Sequence, residues 1–378
     1  MKFLDLQILE NNIEKAAEFD FSGNKVFGSA YFVYQEGNLS FKKCYGKLSV
    51  NSEQPVTDST IFRLASMTKP ITAVAALILA ERGLIDLDGA VSKYLPEFGN
   101  INIIDDTDTN LGIPKNAPTV RNILSHCSGI GSSDKKFEKI TDKDKKSIDS
   151  YVRFLYNSGL DFEPETMQRY SGTGAFDVLT KIIEKVSQTD FLSFLKKEIF
   201  EPCNMPNTTF VPTSQQKTEL IAMHCKDGGK NQVYPMKADC VFEDFPQTHY
   251  LGGAGLVSTL HDYGEFAKML LNKGKLNKKQ LICEKTFEPL CQPQVNKAIM
   301  PGTERWGLGV RIITDPAYPY LPVGAFGWSG AYGSHFWIDP TNKIAAVFMK
   351  TSKFDGGAGN ESAQNFEKAV YSSFKTLK

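Results

Sequence analysis

The chain has 378 residues, of which 41% are hydrophobic and 23% are charged, as in ordinary globular proteins. This length exceeds what one small core needs and favours two domains, or one domain with a large insertion. Lysine plus arginine equals aspartate plus glutamate at 43 each, so no basic field indicates nucleic acid or an anionic membrane as a partner.

The first residues of the chain do not resemble a secretory signal. Asp5, Glu10 and Glu14 interrupt the apolar pattern, which predicts an amphipathic helix to about residue 19 instead. No stretch approaches the roughly twenty uncharged apolar residues of a membrane span. The seven cysteines form no C-x-x-C pair, and we interpret them as reduced thiols of a cytoplasmic protein.

The N-terminal part is predicted to combine strands with one buried helix. Residues 26–34 are rich in aromatic and β-branched types, and a turn leads to an alternating stretch from Leu39, so a β-hairpin is predicted. Residues 59–62 are predicted to form a short strand. The apolar run 71–80 then predicts a buried helix, which ends at Gly83.

The middle of the chain is predicted to be mainly helical, after an irregular stretch at 86–118. Residues 106–110 resemble the start of a calcium loop, but Leu111 and Ala117 stand where that loop needs Gly and Glu. We therefore predict a solvated loop and no metal. Cap residues and apolar spacing predict helices at 120–125, 148–157, 176–186 and 190–199, followed by turns and loops at 202–244.

The C-terminal part returns to mixed character. Apolar spacing predicts helices at 259–271, 278–289 and 361–376, and strands are predicted at 306–313, 335–338 and 344–349. This order of elements is typical of one sheet built from both ends of the chain, 1–85 and 245–378, with a mainly helical domain inserted at 86–244. A ligand cleft is expected at the junction of the two parts.

Ser66 and Lys69 are the first candidates for chemistry. They are three residues apart at the start of the buried helix, so their side chains lie on one face. A serine hydroxyl becomes a good nucleophile when a neighbour takes its proton. The same S-x-x-K spacing recurs by chance elsewhere, as at Ser40 and Lys43. From context alone, a structural serine beside a snorkelling lysine stays an equal alternative.

The run FRLASMTKP at 62–70 resembles the nucleophile motif of the serine β-lactamase-like superfamily. The branch it matches contains class C β-lactamases, penicillin-binding proteins and carboxylesterases. Similar segments follow in the order of that branch and extend the resemblance over about residues 25–350; they are residues 87–96, 122–130, 162–172, 252–259 and 327–333. The resemblance implies an α/β (α+β) fold with an antiparallel sheet, flanked by helices and interrupted by a helical domain.

The resemblance also implies roles for individual residues. Ser66 would be the acylated nucleophile, and Lys69 and Tyr170 would handle its proton; which of the two is the formal base stays open, because coupled groups titrate as a unit. The backbone N–H groups of Ser66 and Ala331 would form the oxyanion hole. The residues predicted to line the substrate site are Trp328, Ser329, Gly330, Gly172 and His335.

Two departures from the family pattern bear on the substrate. Penicillin-recognising members carry Lys or His where Trp328 stands, and Asn where Gly172 stands. Trp328 offers one N–H donor and an apolar face but no charge to meet a carboxylate. Both departures favour a carboxylesterase acting on small uncharged acyl esters.

Several alternatives remain open at this stage. On the same site they are a β-lactamase, a D-amino-acid amidase or peptidase, and an acyltransferase. A pocket that binds its ligand without turnover is the alternative from a different class. No cofactor is predicted, since Gly252, Gly253 and Gly255 lack the strand-to-helix setting of a dinucleotide site and indicate close backbone approach instead. The expected partner is a small ester or amide.

Overall fold

A seven-stranded antiparallel sheet is the centre of the computed structural model. The structure describes residues 2–22, 26–226, 233–235, 248–277, 279–352 and 359–375. The sheet order, from one edge to the other, is Glu304–Trp306, Arg311–Ile313, Phe326–Ser329, His335–Asp339, Ile344–Lys350, Gly28–Gln35 and Asn38–Gly46. The N-terminal hairpin thus pairs with the last strand, with Gln35 opposite Ile344. The prediction of an antiparallel sheet built from both chain ends is confirmed.

Helices cover both faces of this sheet and fill the middle of the chain. The α-helices in the described part span Leu6–Ser22, Thr68–Glu81, Val120–Leu124, Asp134–Phe137, Asp142–Lys145, Ile148–Ser158, Gly174–Ser187, Phe191–Leu195, Ser214–Thr218, Leu260–Leu271, Glu284–Phe287 and Glu361–Tyr371. Shorter 3₁₀ turns lie at Ala65–Met67, Val91–Lys93, Pro96–Asn100 and Glu288–Cys291, and a π turn lies at Lys196–Phe200. Two-stranded pairs join Phe62–Arg63 to Val257–Ser258, Ile103–Ile104 to Asn110–Gly112, His224–Lys226 to Val233–Pro235, and Lys275–Leu276 to Lys279–Gln280.

The two faces of the sheet have separate apolar cores, because successive strand residues point to opposite sides. On one face, Tyr31 and Trp337 pack against Phe366 of the C-terminal helix and Leu9 of the N-terminal helix. On the other face, alternate residues such as Phe32 join the larger core around the helix Thr68–Glu81. The outer face is therefore closed by the two terminal helices. The inner face is covered by the helix Leu260–Leu271, which packs on the strands His335–Asp339, Ile344–Lys350 and Gly28–Gln35.

The helix Thr68–Glu81 is buried on all sides over most of its length. Every residue from Thr68 to Leu79 is buried, as expected for a helix that is apolar all round. The strand Phe62–Arg63, which pairs with Val257–Ser258, lies just before this helix in the chain. Ser66 thus stands between a strand pair and a core helix, both of which limit its movement.

Several predicted elements have different boundaries in the structure. The single strand predicted at 306–313 is wrong: Gly309, with φ of +74°, turns the chain so that Glu304–Trp306 pairs with Arg311–Ile313. The helix predicted at 278–289 is also wrong over its first half. There, Asn277 in the left-handed region lies in the turn of a short hairpin, and the helix begins only at Glu284.

Other differences are smaller. The helix predicted at 190–199 is confirmed with Asp190 as its cap, but it continues from Lys196 as a π turn. The closing helix ends at Tyr371, and the irregular stretch 86–118 contains the short pair Ile103–Ile104 and Asn110–Gly112. The region 202–244, predicted as turns and loops, contains the short helix Ser214–Thr218 and the strand pair His224–Lys226 and Val233–Pro235. Residues 227–232 and 236–247, including the boundary at 244–245, lie outside the described part. The division into two domains stays a prediction.

Candidate active site

Ser66 lies on a tight 3₁₀ turn immediately before the core helix. The preceding residue, Ala65, has φ of +45°, a left-handed conformation that costs a non-glycine residue about 1 kcal/mol or more. Two backbone contacts hold this turn: the Leu64 N–H donates to the Leu256 carbonyl, and the Tyr263 hydroxyl donates to the Met67 carbonyl. The turn leaves Ser66 8% exposed, whereas the residues on either side are fully buried.

Lys69 is fully buried, and its ammonium is surrounded by acceptors. Nζ lies 3.3 Å from Ser66 Oγ, 2.5 Å from the Gly172 carbonyl and 2.8 Å from the Gly253 carbonyl. Three acceptors match the three donors of a charged lysine, which offsets part of the desolvation of the charge. The Tyr170 ring lies 4.8 Å from Nζ and adds a cation–π contact.

Tyr170 connects the serine to the strand Phe326–Ser329. Its hydroxyl donates to Ser66 Oγ at 2.6 Å and accepts from Trp328 Nε1 at 3.2 Å. The rings of Tyr170 and Trp328 are 5.4 Å apart. The structure thus brings Tyr170 and Trp328, which are far away in sequence, to the pair formed by Ser66 and Lys69.

Gly330 brings the end of this strand against the Ser66 turn. A Cβ at Gly330 would lie 2.4 Å from the Leu64 carbonyl oxygen, so only glycine permits this approach. The Gly330 N–H donates to the Ser334 carbonyl, which folds the strand end into a turn, and Ala331 follows on the exposed side. The oxyanion roles of the Ser66 and Ala331 N–H groups stay predictions.

Gly172 and the neighbouring glycines hold the lysine through their backbone. Besides the two carbonyls that accept from Lys69, the Gly252 carbonyl accepts from Thr72 at 2.6 Å. A Cβ at Gly252 would lie 2.0 Å from Thr180 Oγ1, which confirms the predicted close backbone approach. At Gly172, by contrast, a Cβ would meet no described atom within 4 Å.

Ser329 and His335 do not face this site, contrary to the expectation that their side chains line it. They lie opposite each other on neighbouring strands, on the face away from Trp328. Both are buried, and the Ser329 hydroxyl pairs with His335 Nδ1 at 2.7 Å. The alternation of side chains along a strand explains the error, because Trp328 and Ser329 cannot point to the same face.

The rings of His126 and Trp306 pack against the ring of Tyr170. The ring of His126 lies 4.6 Å from Tyr170 and 4.4 Å from Trp306, and its Nδ1 accepts from the Ser171 N–H at 3.2 Å. Burial, and then the positive charge of Lys69, holds the pKa of the His126 imidazole well below its usual range. His126 therefore has a structural hydrogen bond to the residue that follows Tyr170. Trp306 was missed because nothing in its local sequence points to Tyr170.

Asp177 is a buried acid near the lysine that the sequence did not single out. Burial raises the pKa of its carboxyl well above the usual range, and the Lys69 charge and the Gly252 and Gly253 amides oppose this shift. His249 Nε2 lies 3.9 Å from Asp177 Oδ2. The signal for Asp177 was its position on the apolar face of the helix Gly174–Ser187, where a charge is unusual.

The comparisons with known proteins agree with this geometry. A family model described as "Beta-lactamase" matches residues 9–368. The chain belongs to the β-lactamase family. It is a serine hydrolase of this family, in agreement with the resemblance at residues 62–70.

Relatives and solved structures support the fold over the whole chain. Esterase EstB from Burkholderia gladioli is 24% identical over 94% of each chain. The structure described as "EstCE1, a hydrolase with promiscuous acyltransferase activity" is 21% identical with a TM-score of 0.83, over 97% of this chain and 99% of that one. Simvastatin synthase (LovD) from Aspergillus terreus is 20% identical with a TM-score of 0.79, over 99% of this chain and 100% of the other. The chain therefore has a β-lactamase-like fold.

Neither a metal cluster nor a membrane-spanning helix is found in the described part of the chain. No group of three histidine, cysteine or acidic residues is placed to hold a metal ion. None of the helices is both long and apolar enough to cross a bilayer.

Proposed function

We propose that this protein is a carboxylesterase that forms an acyl-enzyme on Ser66 with small, uncharged acyl esters. The observation that carries the proposal is the set of contacts on one hydroxyl. Ser66 Oγ lies 2.6 Å from Tyr170 Oη and 3.3 Å from Lys69 Nζ, and Trp328 supplies a neutral donor to the same tyrosine. The likeness to a protein named esterase EstB supports the choice of ester over amide.

In the acylation step, Tyr170 acts as a phenolate, its own proton having passed to water. Ser66 Oγ attacks the ester carbonyl carbon while the Ser66 proton passes to Tyr170 Oη across the 2.6 Å contact. The carbonyl electron pair moves to oxygen, where the Ser66 and Ala331 N–H groups would stabilise it. Collapse of this intermediate breaks the ester C–O bond and returns the proton to the leaving alcohol. The Lys69 ammonium, whose Nζ lies 4.8 Å from the centre of the Tyr170 ring, offsets the negative charge of the phenolate.

The neutral indole of Trp328 limits the substrates that this site accepts well. A substrate carboxylate needs a positive partner once it is desolvated, and Trp328 offers only one N–H, which Tyr170 already accepts. An uncharged acyl group meets no such penalty and can lie against the aromatic face. Small uncharged esters therefore suit the site better than β-lactams or D-amino-acid amides.

Acyl transfer to an alcohol is the second candidate for the same site. The observation that favours it is the likeness to a solved hydrolase described as having promiscuous acyltransferase activity. Deacylation repeats the first step in reverse, and an alcohol can replace water as the attacking group. Adding a primary alcohol to the assay separates the two: net transfer gives a new ester, whereas hydrolysis gives only the free acid.

A fluorophosphonate probe tests whether Ser66 is a nucleophile. We expect labelling of the wild-type protein and none of Ser66→Ala, because the probe reacts with activated serines. The Ser66→Ala protein must keep its thermal unfolding transition, so that loss of labelling reports chemistry rather than folding. A folded wild-type protein that does not react would support the alternative of binding without turnover.

A pair of chromogenic substrates tests the choice of ester. We expect measurable turnover of a short-chain p-nitrophenyl ester and little turnover of nitrocefin, which carries a carboxylate. The reverse order would contradict the role given to Trp328 and would favour the β-lactamase alternative.

The cytoplasmic location is also part of the proposal. It rests on the cysteine pattern, and the thiols that the structure describes are free, namely Cys44, Cys127, Cys203, Cys283 and Cys291. The side chains of Cys225 and Cys240 lie outside the described part. Reduced thiols are usual in the cytosol and rare in secreted proteins.

A further inference from the structure

A buried polar chain runs behind the strand that carries Trp328. Ser329 Oγ pairs with His335 Nδ1 at 2.7 Å, and His335 Nε2 lies 3.0 Å from Glu367 Oε1 on the C-terminal helix. The three side chains are at most 1% exposed. Because a carboxylate can only accept, His335 Nε2 donates to Glu367.

Two further groups fix the Glu367 end of this chain. The Tyr318 hydroxyl donates to Glu367 Oε2 at 3.3 Å, and the Arg311 guanidinium lies 3.7 Å from Oε1. Arg311 also pairs with Glu304 at 2.8 Å, so it is itself held in place. The Glu367 carboxylate is thus held by Tyr318 and Arg311 as well as by His335, and the hydrogen-bonded set Ser329–His335–Glu367 is expected to be rigid.

The three residue types are those of a nucleophilic triad, but their arrangement does not suit that role. In the triad of serine proteases, the acid holds Nδ1 and the serine faces Nε2, whereas here the two ring nitrogens are exchanged. Ser329 is also covered by the layer of terminal helices and faces away from Trp328. No substrate can reach its hydroxyl, so its effect must pass through the backbone.

We propose that Ser329, His335 and Glu367 position the catalytic strand end, so that the C-terminal helix sets the geometry at Ser66. This inference rests on the proposed function. Ser329 lies between Trp328, whose indole donates to Tyr170, and Gly330, whose backbone packs on the Leu64 carbonyl. The hydrogen bond that holds the Ser329 side chain on one face of the sheet thereby fixes the backbone orientation of Trp328 and Gly330. The three are positioning residues, since none touches the reacting atoms.

The strand that carries His335 offers a matched control at its other end. Asp339 ends the strand His335–Asp339, and the Tyr371 hydroxyl of the same C-terminal helix donates to Asp339 Oδ2 at 2.8 Å. Ser329→Ala and Tyr371→Phe each delete one hydroxyl group that joins this strand region to its surroundings. Only Ser329 adjoins Trp328 and Gly330, so only Ser329→Ala should disturb the site.

The test compares these two variants in turnover of a p-nitrophenyl ester. For Ser329→Ala we expect kcat to fall about 10-fold with KM within about 2-fold, since misplaced catalytic groups slow the chemical step more than they weaken binding. For Tyr371→Phe we expect kcat to stay within about 2-fold of the wild type. The melting temperatures of the two variants should fall by similar amounts, because each variant loses one buried hydrogen bond. Equal kcat values for the two variants would overturn the proposal.

A spectroscopic readout separates this inference from the proposed function. The chain has three tryptophans, so the Trp328 indole N–H can be followed by NMR once Trp328→Phe has assigned it. We expect its hydrogen-bonded resonance to move in Ser329→Ala and to stay in Tyr371→Phe. A wild-type protein that lacks fluorophosphonate labelling but shows this difference contradicts the proposed function alone.

The same probe tests the competing role of Ser329 as a nucleophile. Phosphonylation of Ser329 in the Ser66→Ala protein would overturn the positioning role, because a side chain shielded by the terminal helices cannot react. Absence of labelling there, with the kcat difference above, supports the proposal.

Discussion

Trp328 is the residue at which this site departs most from the penicillin-recognising pattern. Its indole N–H donates to Tyr170, so it can stabilise a negative phenolate oxygen as a lysine ammonium would. It supplies no net charge, and its ring contacts both Tyr170 and Trp306. One side chain therefore keeps the hydrogen bond to the tyrosine while it removes the attraction for a carboxylate.

We predict that Trp328→Phe lowers kcat for a p-nitrophenyl ester by about 10- to 100-fold, because the donor to the Tyr170 oxygen is lost while the aromatic face remains. Steady-state kinetics check this prediction. Trp306→Phe is the matched control, since Trp306 contacts the Tyr170 ring at 5.8 Å, and a smaller loss is expected. Equal losses would assign the effect of Trp328 to packing.

A second substitution at the same position tests the missing charge. We predict that Trp328→Lys binds carboxylate-bearing β-lactams about 10-fold more tightly than the wild type, since a desolvated cation then meets the carboxylate. Competition with the fluorophosphonate probe measures this affinity. Unchanged competition would show that residue 328 lies outside the substrate site.

At the scale of elements, the site depends on the contact between the strand end at Gly330 and the turn before Ser66. Ala65, which has a left-handed backbone conformation, and Gly330 belong to the same contact. A Cβ at Gly330 would lie 3.6 Å from Ala65 Cβ as well as close to the Leu64 carbonyl oxygen. Any displacement of one element changes the distance between Ser66 Oγ and the strand end that carries Ala331, the predicted oxyanion donor. Stability and activity should therefore change together here.

We predict that Gly330→Ala destabilises the protein by about 1–3 kcal/mol, because its Cβ would overlap the Leu64 carbonyl oxygen. Esterase activity should fall at least about 100-fold, since the strand end must move away from Ser66. Thermal unfolding and kinetics measure the two effects. Gly99→Ala is the control, because its Cβ would make an ordinary 3.6 Å contact with Ser92. A fully active Gly330→Ala protein would contradict this account.

The sequence allowed prediction of the elements whose pattern is local. The apolar run after Lys69 predicted the core helix, and cap residues such as Asp190 and Thr259 predicted where helices begin. The turn at Gly309 was missed because a glycine within an apolar run also fits a continuous strand. The site was predicted where a motif carries it, as at Ser66.

Residues whose function depends on distant contacts were missed or misplaced. Trp306 reaches the site only through tertiary packing, and no local pattern marks it. Asp177 was overlooked although a charge on the apolar face of its helix was a local signal. His335 was assigned to the cleft from its position after Trp328, but the register pairs it with Ser329, whose side chain points to the opposite face from Trp328. Side-chain direction across a sheet follows from register, which sequence spacing alone does not give.

At the scale of the whole molecule, several histidines are buried in neutral form. Burial lowers the pKa of His249 to about 4, although the Lys145 carbonyl partly offsets this, and burial lowers the pKa of His224 to about 4 as well. Burial shifts the pKa of His126 in the same direction. A histidine with a lowered pKa in the folded state binds its proton more readily when unfolded, so acid favours unfolding.

We predict that the free energy of unfolding falls as the pH decreases from about 6.5 to about 4, with a contribution of about 3 kcal/mol from His249. Above pH 6.5 this contribution is fully present. Urea unfolding at pH 7 and at pH 4.5 checks the prediction. His249→Gln removes one titrating group and should flatten the decline, whereas parallel profiles for the two proteins would contradict the assignment.

The pairing of Gly28–Gln35 with Ile344–Lys350 has a consequence for the order of events during synthesis. About 300 residues separate the two strands, so the first hairpin waits on the ribosome for roughly 15 to 60 seconds before its neighbour appears. Trp328 and the C-terminal helix are also made late. Ser66 is therefore translated long before Trp328, and a nascent chain cannot acylate itself or consume ester until almost all of the protein has emerged.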